Sequence, residues 1–280
     1  MYRRFIILIL ILIPIVLLLI PIAVSELVDE LEHLGRYAAA TYERFEDWTD
    51  PNQCTVCQHP DIRATTLNTT WAGLLTRGFI GINQPNVIVA FRGTTHIMDV
   101  LTNSHAVQTR WPPSVNGSMV HEGFLAAYLD AHIMDHLSLI MADPQFRGYQ
   151  VHFVGHSLGA AQATLAYAEW MLGGGDAVLT TFGSPRVGNL EFAQLVNTRE
   201  FWRVVNRADI VPHLPMKLMA YVSAGREVWV GDDVVECESP GEECNEDPRC
   251  SASVSPFLWN LVDHMVYPGI RLGIPKYFEQ

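Results

Sequence analysis

Basic residues are scarce in this chain. Its 280 residues include 18 Lys and Arg against 30 Asp and Glu, which gives a formal net charge of −12. The first 25 residues hold two of the arginines and no acid, so the formal charge of the remainder is −14. A surface with this excess of acids repels phosphate backbones and anionic headgroups. The charge therefore disfavours nucleic acid and anionic membranes as partners, whereas a neutral lipid surface, which attracts apolar side chains, stays open.

The chain also lacks an internal repeat, a low-complexity linker and a second domain boundary. Once residues 1–25 are set aside, about 255 residues remain, a length that suits one large α/β domain. We therefore expect a single catalytic domain over residues 26–280.

The amino terminus has the pattern of a secretory signal. Arg3 and Arg4 precede an uncharged apolar run, Phe5–Val24, and small residues at 23–25 allow cleavage before Glu26. The run is also long enough to span a bilayer, so an uncleaved anchor is the alternative. In both cases the remainder faces an oxidising compartment, and we expect a secreted protein.

Five cysteines are an odd number, so at least one is unpaired or pairs between chains. Cys54 and Cys57 have C-x-x-C spacing, which behind a secretory signal favours a small disulfide loop; zinc is the alternative, but no second ligand pair follows. Asn68-Thr-Thr and Asn116-Gly-Ser are glycosylation sequons and should lie at the surface. No ligand cluster indicates a metal or a cofactor, and we expect neither.

The Gly-X-Ser-X-Gly pattern at residues 155–159 organises the rest of the chain. Val151–Val154 is an apolar run that predicts a buried strand, and the alanine-rich segment Ala160–Leu172 predicts a helix that ends at glycines. Strand, turn and helix in this order form a nucleophile elbow, which exposes the Ser157 hydroxyl at the carboxyl end of the strand. Free N–H groups at the start of the helix can then stabilise an oxyanion.

Other segments supply the frame around this elbow. Asn86–Phe91 predicts a buried strand whose following loop, residues 92–95, can aim a second donor at the site above Ser157. Phe201–Asn206 predicts another strand, and Asp209 follows it, at the position where α/β enzymes place functional groups. Helical spacing predicts one helix over Glu26–Phe45 and another from about residue 124 to about Met141.

A serine nucleophile needs a base and an acid. In α/β-hydrolases these follow the serine in the order acid, then histidine, and the histidines after Asp209 are His213 and His264. His213 is too close to Asp209 in sequence and lies between prolines, which favours a structural role; His264 lies in a late loop that can fold back over the sheet. The competing acids lie in turns or beside His264: Asp176, Asp232 and Asp263. The residues therefore favour Ser157, Asp209 and His264.

Six motifs in order resemble those of fungal class 3 lipases of the zygomycete and Thermomyces type, over essentially everything after the signal segment. They are Phe-Arg-Gly-Thr at 91–94, Val-His-Glu-Gly-Phe at 120–124, Gly-His-Ser-Leu-Gly at 155–159, Phe-Gly-Ser-Pro-Arg-Val-Gly at 182–188, Asp-Ile-Val-Pro-His-Leu-Pro at 209–215 and Asp-His-Met-Val-Tyr at 263–267. The resemblance implies an α/β-hydrolase fold with a mostly parallel central sheet, helices on both faces and a nucleophile elbow. It also implies the triad Ser157, Asp209 and His264, with oxyanion donors from Thr94 and the Leu158 backbone.

The resemblance places a lid directly after Thr94. Residues 95–103 carry an apolar face that would cover the groove above Ser157, and its members are Ile97, Met98, Val100 and Leu101. A fixed core helix is the alternative. The family usually has a tryptophan where this chain has Val100.

The resemblance also bears on the remaining cysteines. Cys237 and Cys250 stand where the family has its late disulfide, which implies a Cys237–Cys250 bond and leaves Cys244 unpaired. The family's long disulfide from the first helix to the C-terminus has no cysteines here.

Together these observations predict a secreted serine carboxylic-ester hydrolase that cleaves acylglycerols at an oil–water interface through an acyl-enzyme, without an obligate protein partner. Two alternatives remain: a soluble esterase of the same family, of the feruloyl-esterase kind, and a non-enzymatic lipid-binding relative. A preference for long acyl chains over aryl esters would separate the lipase from the soluble esterase.

Overall fold

The computed structural model describes residues 26–73, 75–94, 97–98, 107–197, 201–238, 244 and 246–267, with the backbone of 270–271. The predicted signal segment 1–25 and the lid residues Val100 and Leu101 lie outside these residues. Within the described ranges, no helix is both long enough and apolar enough to cross a membrane.

An eight-stranded sheet forms the centre of the fold, in the order β1-β2-β3-β6-β7-β8-β9-β10. The strands are β1 Thr66–Ala72, β2 Arg77–Asn83, β3 Asn86–Phe91, β4 Gln108–Arg110, β5 Met119–His121, β6 Gln150–His156, β7 Ala177–Phe182, β8 Phe201–Asn206, β9 Arg226–Val230, β10 Val234–Glu236, β11 Val266–Tyr267 and β12 Ile270–Arg271. The five strands from β3 to β9 in the sheet are parallel, and antiparallel strands complete both edges. Two small hairpins, β4–β5 and β11–β12, lie outside this sheet.

Helices cover both faces of the sheet. They are α1 at 26–40, α2 Pro60–Arg63, α3 Glu122–Asp130, α4 Ile133–Ala142, α5 Leu158–Leu172, α6 Leu190–Val196 and α7 Val262–Met265. This is the mostly parallel sheet, covered on both faces, that the sequence predicted.

Alternation along the central strands divides the core between the two faces. In β3, Val87, Val89 and Phe91 join the cluster under α3, α4, α5 and α6, whereas Ile88 and Ala90 join the cluster under α1 and α2. Successive side chains of a strand point to opposite faces, so a strand that is covered on both sides is apolar throughout. This explains why the central strands read as continuous apolar runs.

The helix after the elbow, α5, is the most deeply buried helix described. Its residues 158–168 are all buried, and many of them are alanine. A helix that is buried all round has no solvent face over these residues, and its small side chains allow the sheet on one side and α3 on the other to approach closely. The depth of α5 fixes the position of Ser157 at its start.

Two predicted helices differ from the observed ones. The first helix ends at residue 40 rather than at Phe45, because the chain turns there and the Tyr42 side chain is engaged with His156. The helix predicted to run to Met141 is divided into α3 and α4 by His132, which adopts φ +48°. Local spacing gave the correct residues for helix in both cases, but the tertiary packing determined where each helix ends.

The cysteine pairs in the structure are those expected. Cys54 is bonded to Cys57, and Cys237 is bonded to Cys250. Cys244 is buried outside both bonds, with Asn197 Nδ2 2.9 Å from its sulfur. Of the two sequons, Asn68 lies on the edge strand β1 and Asn116 in the turn between β4 and β5; both are exposed. Their glycosylation stays a prediction.

The close approach of α5 to β3 generates a stability prediction. A Cβ at Gly159 would overlap the Phe91 carbonyl oxygen and the Arg92 backbone, which are atoms that cannot move without shifting β3. We expect Gly159→Ala to lower the free energy of unfolding by about 2–3 kcal/mol, the cost of overpacking a rigid site. Urea denaturation measures this change.

The matched control is Gly231→Ala, because the nearest atom to a Cβ there is the Asp233 carbonyl oxygen at 3.8 Å. That variant should unfold at nearly the parent urea concentration. Equal stability of the Gly159 variant and the parent would show that the helix and the strand are less closely packed than described.

Candidate active site

Ser157 occupies the corner between β6 and α5. Its backbone has φ +59° and ψ −128°, a conformation that costs a non-glycine residue about 1–3 kcal/mol and persists only where its surroundings impose it. Those surroundings include the Phe182 carbonyl oxygen, which accepts the Ser157 N–H at 3.0 Å. The corner also needs small neighbours, because a Cβ at Gly155 would overlap the Gly159 carbonyl. The predicted elbow is therefore present.

Exposure of the Ser157 hydroxyl is a point on which the sequence prediction was wrong. The residue is fully buried: its hydroxyl is shielded from solvent, and Gly93 in the loop after β3 lies against its Cβ. Among the described residues, Ser157 Oγ has no hydrogen-bond partner. A substrate can reach this hydroxyl only after a movement of its cover.

Asp209 and His264, 55 residues apart in sequence, are joined by a hydrogen bond. His264 Nδ1 lies 2.8 Å from Asp209 Oδ2, and both side chains are almost completely buried. A carboxylate accepts the Nδ1 proton, which leaves Nε2 of the neutral ring as a proton acceptor. Within the described part of the chain, Nε2 is buried without a partner, as is Ser157 Oγ. The ring is therefore held in the tautomer that a general base requires.

Two further donors hold the Asp209 carboxylate. Tyr267 Oη donates to Oδ2 at 3.0 Å, and the Val211 N–H donates to Oδ1 at 2.9 Å. Burial and the Asp209 charge raise the pKa of Tyr267, which stays a neutral donor. With three donors on two oxygens, the buried carboxylate is compensated and its orientation toward His264 is fixed.

A glycine in the loop after β7 makes room for this cluster. Gly183 has φ +58°, and a Cβ there would lie 2.7 Å from Tyr267 Oη and 2.8 Å from both Asp209 Oδ2 and His264 Nδ1. Both the backbone conformation and the space therefore require glycine at this position.

Asp263, one of the competing acids, has a different task. Its carboxylate accepts hydrogen bonds from the Ala208 N–H at 3.0 Å and from Asn260 Nδ2 at 2.9 Å. From the end of β8, Asn206 Nδ2 donates to the Asp263 carbonyl at 3.0 Å. These bonds attach the loop of His264 to the loop of Asp209.

His156, the variable residue of the elbow motif, connects the base to the loop after β3. Its Nε2 lies 3.0 Å from the His264 carbonyl oxygen, which can only accept, so Nε2 carries the proton. Nδ1 then accepts from Tyr42 Oη at 2.6 Å, and the Tyr42 oxygen accepts the Gly93 N–H at 3.1 Å. Burial lowers the pKa of His156 well below its usual value, which keeps this ring neutral.

The predicted oxyanion donors lie on either side of the elbow. Leu158 is the first residue of α5, where a backbone N–H has no acceptor within the helix. Thr94 follows Gly93, and a Cβ at Gly93 would lie 2.8 Å from the Ser157 Cβ, so the loop after β3 contacts the elbow directly. The arrangement brings both predicted donor segments to the serine.

The remaining candidates lie elsewhere or have structural contacts. The His213 ring stacks on Trp259 with centroids 4.2 Å apart, and burial lowers its pKa to about 4. Asp232 is exposed and pairs with Arg207 at 3.0 Å. Of the predicted lid residues, Ile97 is buried in the core cluster that contains Leu158, and Met98 packs against that cluster.

One group among the described residues has the composition of a metal site: Glu227, Cys237 and Cys250. Both sulfurs belong to a disulfide, and Glu227 pairs with Arg203. A disulfide offers no thiolate, so this group does not have the chemistry that holds zinc.

The chain is similar in sequence to a known family of enzymes. The family model for lipase (class 3) matches residues 88–219. Over 266 residues, the chain is 32% identical to a lipase of Rhizomucor miehei, an alignment that covers 90% of this chain and 71% of that relative. The chain belongs to the class 3 lipase family. It is therefore a carboxylic ester hydrolase with the α/β-hydrolase fold.

Other lipases agree with this assignment. A secreted mono- and diacylglycerol lipase A of Penicillium cyclopium is 32% identical over 225 residues, which covers 75% of this chain and 72% of the relative. The crystal structure of a lipase from Rhizopus microsporus var. chinensis superposes with a TM-score of 0.78 at 32% identity and covers 89% of each chain. The expected family and fold are thus confirmed.

Sequence reasoning missed four residues that support this lipase site: Tyr42, His156, Gly183 and Tyr267. His156, Gly183 and Tyr267 stand inside quoted motifs, so their places were visible but their tasks were not. Tyr42 gave no signal, because it reaches the site from beyond the end of α1, 114 residues away from His156.

The Tyr42 hydroxyl generates a second prediction. In Tyr42→Phe, the buried Gly93 N–H and His156 Nδ1 would both lose their partner. We expect a loss of about 1–3 kcal/mol in the free energy of unfolding, the cost of leaving buried polar groups unsatisfied. Urea denaturation at neutral pH measures it.

Tyr149→Phe is the matched control, since no hydrogen bond of the Tyr149 hydroxyl is described and the residue is half-buried. Its stability should stay within about 0.5 kcal/mol of the parent. If both variants unfolded alike, the hydrogen bonds of Tyr42 would have no special weight.

Proposed function

We propose that the protein is a secreted lipase that cleaves acylglycerol esters with Ser157 as nucleophile, His264 as base and Asp209 as the residue that orients the base. The observation that carries the proposal is the buried His264–Asp209 bond at 2.8 Å, which leaves Nε2 as an acceptor in a site where Ser157 Oγ is also without a partner. The domain that does this extends over residues 26–280.

The residues of the site can carry out the proton transfers and the charge stabilisation that ester hydrolysis needs. His264 Nε2 takes the Ser157 proton as the oxygen attacks the ester carbonyl, and Asp209 stabilises the imidazolium that forms. The Leu158 N–H and donors of Thr94 stabilise the oxyanion, where one donor contributes about 3–4 kcal/mol. His264 then protonates the leaving alcohol, and a water molecule releases the acid from the acyl-enzyme. Side chains, backbone N–H groups and water together supply this chemistry.

The proposed setting is extracellular. Two disulfides suit an oxidising compartment, and the two sequons are exposed. Several relatives carry the word secreted in their names. Residues 1–25 would provide the export signal.

Acylglycerols are the proposed substrates because the relatives are lipases, some of them named for mono- and diacylglycerols. The proposed partner is a lipid–water interface, with no obligate protein partner. The soluble esterase is the less favoured alternative.

A third prediction tests the triad. We expect Ser157→Ala, Asp209→Asn and His264→Ala each to lower kcat on a short soluble ester by about three orders of magnitude or more. Thermal unfolding should show that each variant folds.

His213→Gln serves as the control for these variants. Its ring stacks on Trp259 and has no place in the proposed proton transfer, so ester hydrolysis should persist. Full activity of His264→Ala together with loss in His213→Gln would assign the base to His213 instead.

A fourth prediction concerns the lid. We propose that residues 95–103 cover Ser157 and open at a lipid surface, where their apolar side chains are buried again. Each such side chain gains about 1.5–3 kcal/mol from burial, enough to shift a closed population towards open. Activity on an insoluble ester should therefore rise steeply once droplets form.

The variant for this test is Ile97→Asp, which should remove most of that rise while hydrolysis of a short soluble ester persists. A fixed core helix predicts a different result: the charge would destabilise the fold, and both activities would fall together. A smooth rate curve through the solubility limit in the parent enzyme would favour the soluble esterase.

A further inference from the structure

One short segment near the site displays large apolar side chains to solvent. Phe257 is 98% exposed and Leu258 is 65% exposed, and both belong to the 3-10 turn Pro256–Leu258. Residues 255–262 contain no charged side chain, in a chain that has 30 acids. We call Phe257 and Leu258 the apolar tip. Contact between such a tip and water is unfavourable, so its exposure indicates a partner.

The apolar tip has a stiff support on the loop of Asp209. Directly after it, the Asn260 N–H donates to the Ala208 carbonyl at 2.9 Å, and the Ile210 N–H donates to the Asn260 carbonyl at 3.2 Å. These bonds form a parallel bridge between Asp209 and Asn260, so the segment that leads to His264 is attached to the loop of Asp209. The tip therefore keeps a fixed position relative to the triad.

A second apolar projection is attached to the same support. Trp259, next to the tip, stacks on His213, and the chain continues from there to the 3-10 turn Lys217–Met219. Leu218 in that turn is 92% exposed. The nearby charge on Lys217 is paired with Glu246 Oε2 at 3.1 Å. The stack of Trp259 on His213 thus attaches the tip to the segment that leads to a second exposed apolar side chain, Leu218.

We propose that the apolar tip, together with the exposed Leu218, is a fixed anchor that inserts into a neutral lipid surface and holds the site against it. This inference rests on the proposed function, since acylglycerol supplies the surface. Insertion into a fluid layer requires only exposed apolar side chains on a rigid support, which is what the segment provides.

Size and charge favour lipid over other occupants. A stable protein interface buries about 800 Å² on each partner, far more than three separate side chains present. The excess of acids disfavours anionic headgroups, so the surface that fits is uncharged or zwitterionic.

The test measures adsorption rather than turnover. The full chain carrying Ser157→Ala would be mixed with trioctanoin droplets coated with phosphatidylcholine, and the bound fraction measured by flotation. Adding Phe257→Ser and Leu258→Ser should weaken the partition at least about tenfold, because two large apolar side chains no longer enter the layer. Thermal unfolding should stay at the parent value, since both side chains are exposed.

Leu139→Ser is the matched control, because Leu139 is 73% exposed on α4, outside the segments that carry the site. Its partition should stay within about twofold of the parent. Equal adsorption with and without the tip would overturn the proposal, as would an equal loss in the Leu139 variant. A dimer in sedimentation experiments that the tip substitutions abolish, with adsorption unchanged, would assign the tip to a second copy instead.

The use of Ser157→Ala keeps this test separate from the proposed function. If the chain with its serine intact hydrolysed no acylglycerol, the proposed function would fail while the adsorption result would still decide for or against the anchor.

Discussion

The hydrogen bond between His264 and Asp209 is the interaction on which the rest of the site depends. It removes a carboxylate and an imidazole from water, and such burial is unfavourable unless every polar atom finds a partner. Apart from His264 Nε2, these atoms have partners, which come from the loop after β8 and from β11. The Val211 N–H and the Tyr267 hydroxyl compensate the carboxylate, and Gly183 leaves the space in which all of them meet.

The serine side of the site is tied to the same bond through the elbow. His156, which directly precedes Ser157, donates to the His264 carbonyl, and Tyr42 connects it to Gly93, next to the predicted oxyanion donor Thr94. His264, the His156 corner of the elbow and the loop after β3 are therefore joined by one continuous set of buried hydrogen bonds. The positive φ of Ser157 is stable because these contacts determine its backbone more strongly than its own preference does.

Access to this lipase site is a separate problem from its assembly. Ser157 is fully buried, so catalysis requires that something above it moves, and the predicted lid is the segment with the composition to move at a lipid surface. The apolar tip differs from the predicted lid because its backbone is bonded to the loop of Asp209. A movable cover and a fixed anchor together would place an opened site at the surface that opened it.

Local patterns in the sequence determined a large part of this protein. Alternation and apolar runs predicted β3 and β8 to the residue, glycines at 155 and 159 predicted the elbow, and the order of acid and histidine after Ser157 predicted the pair that the structure joins. The ends of α1, the break at His132 and the burial of Ser157 depended on contacts between distant segments. So did the roles of Tyr42 and His156, which meet across 114 residues. Spacing along a chain specifies which face a side chain takes, whereas only the folded chain brings together groups that share no spacing, and their mutual burial decided those features.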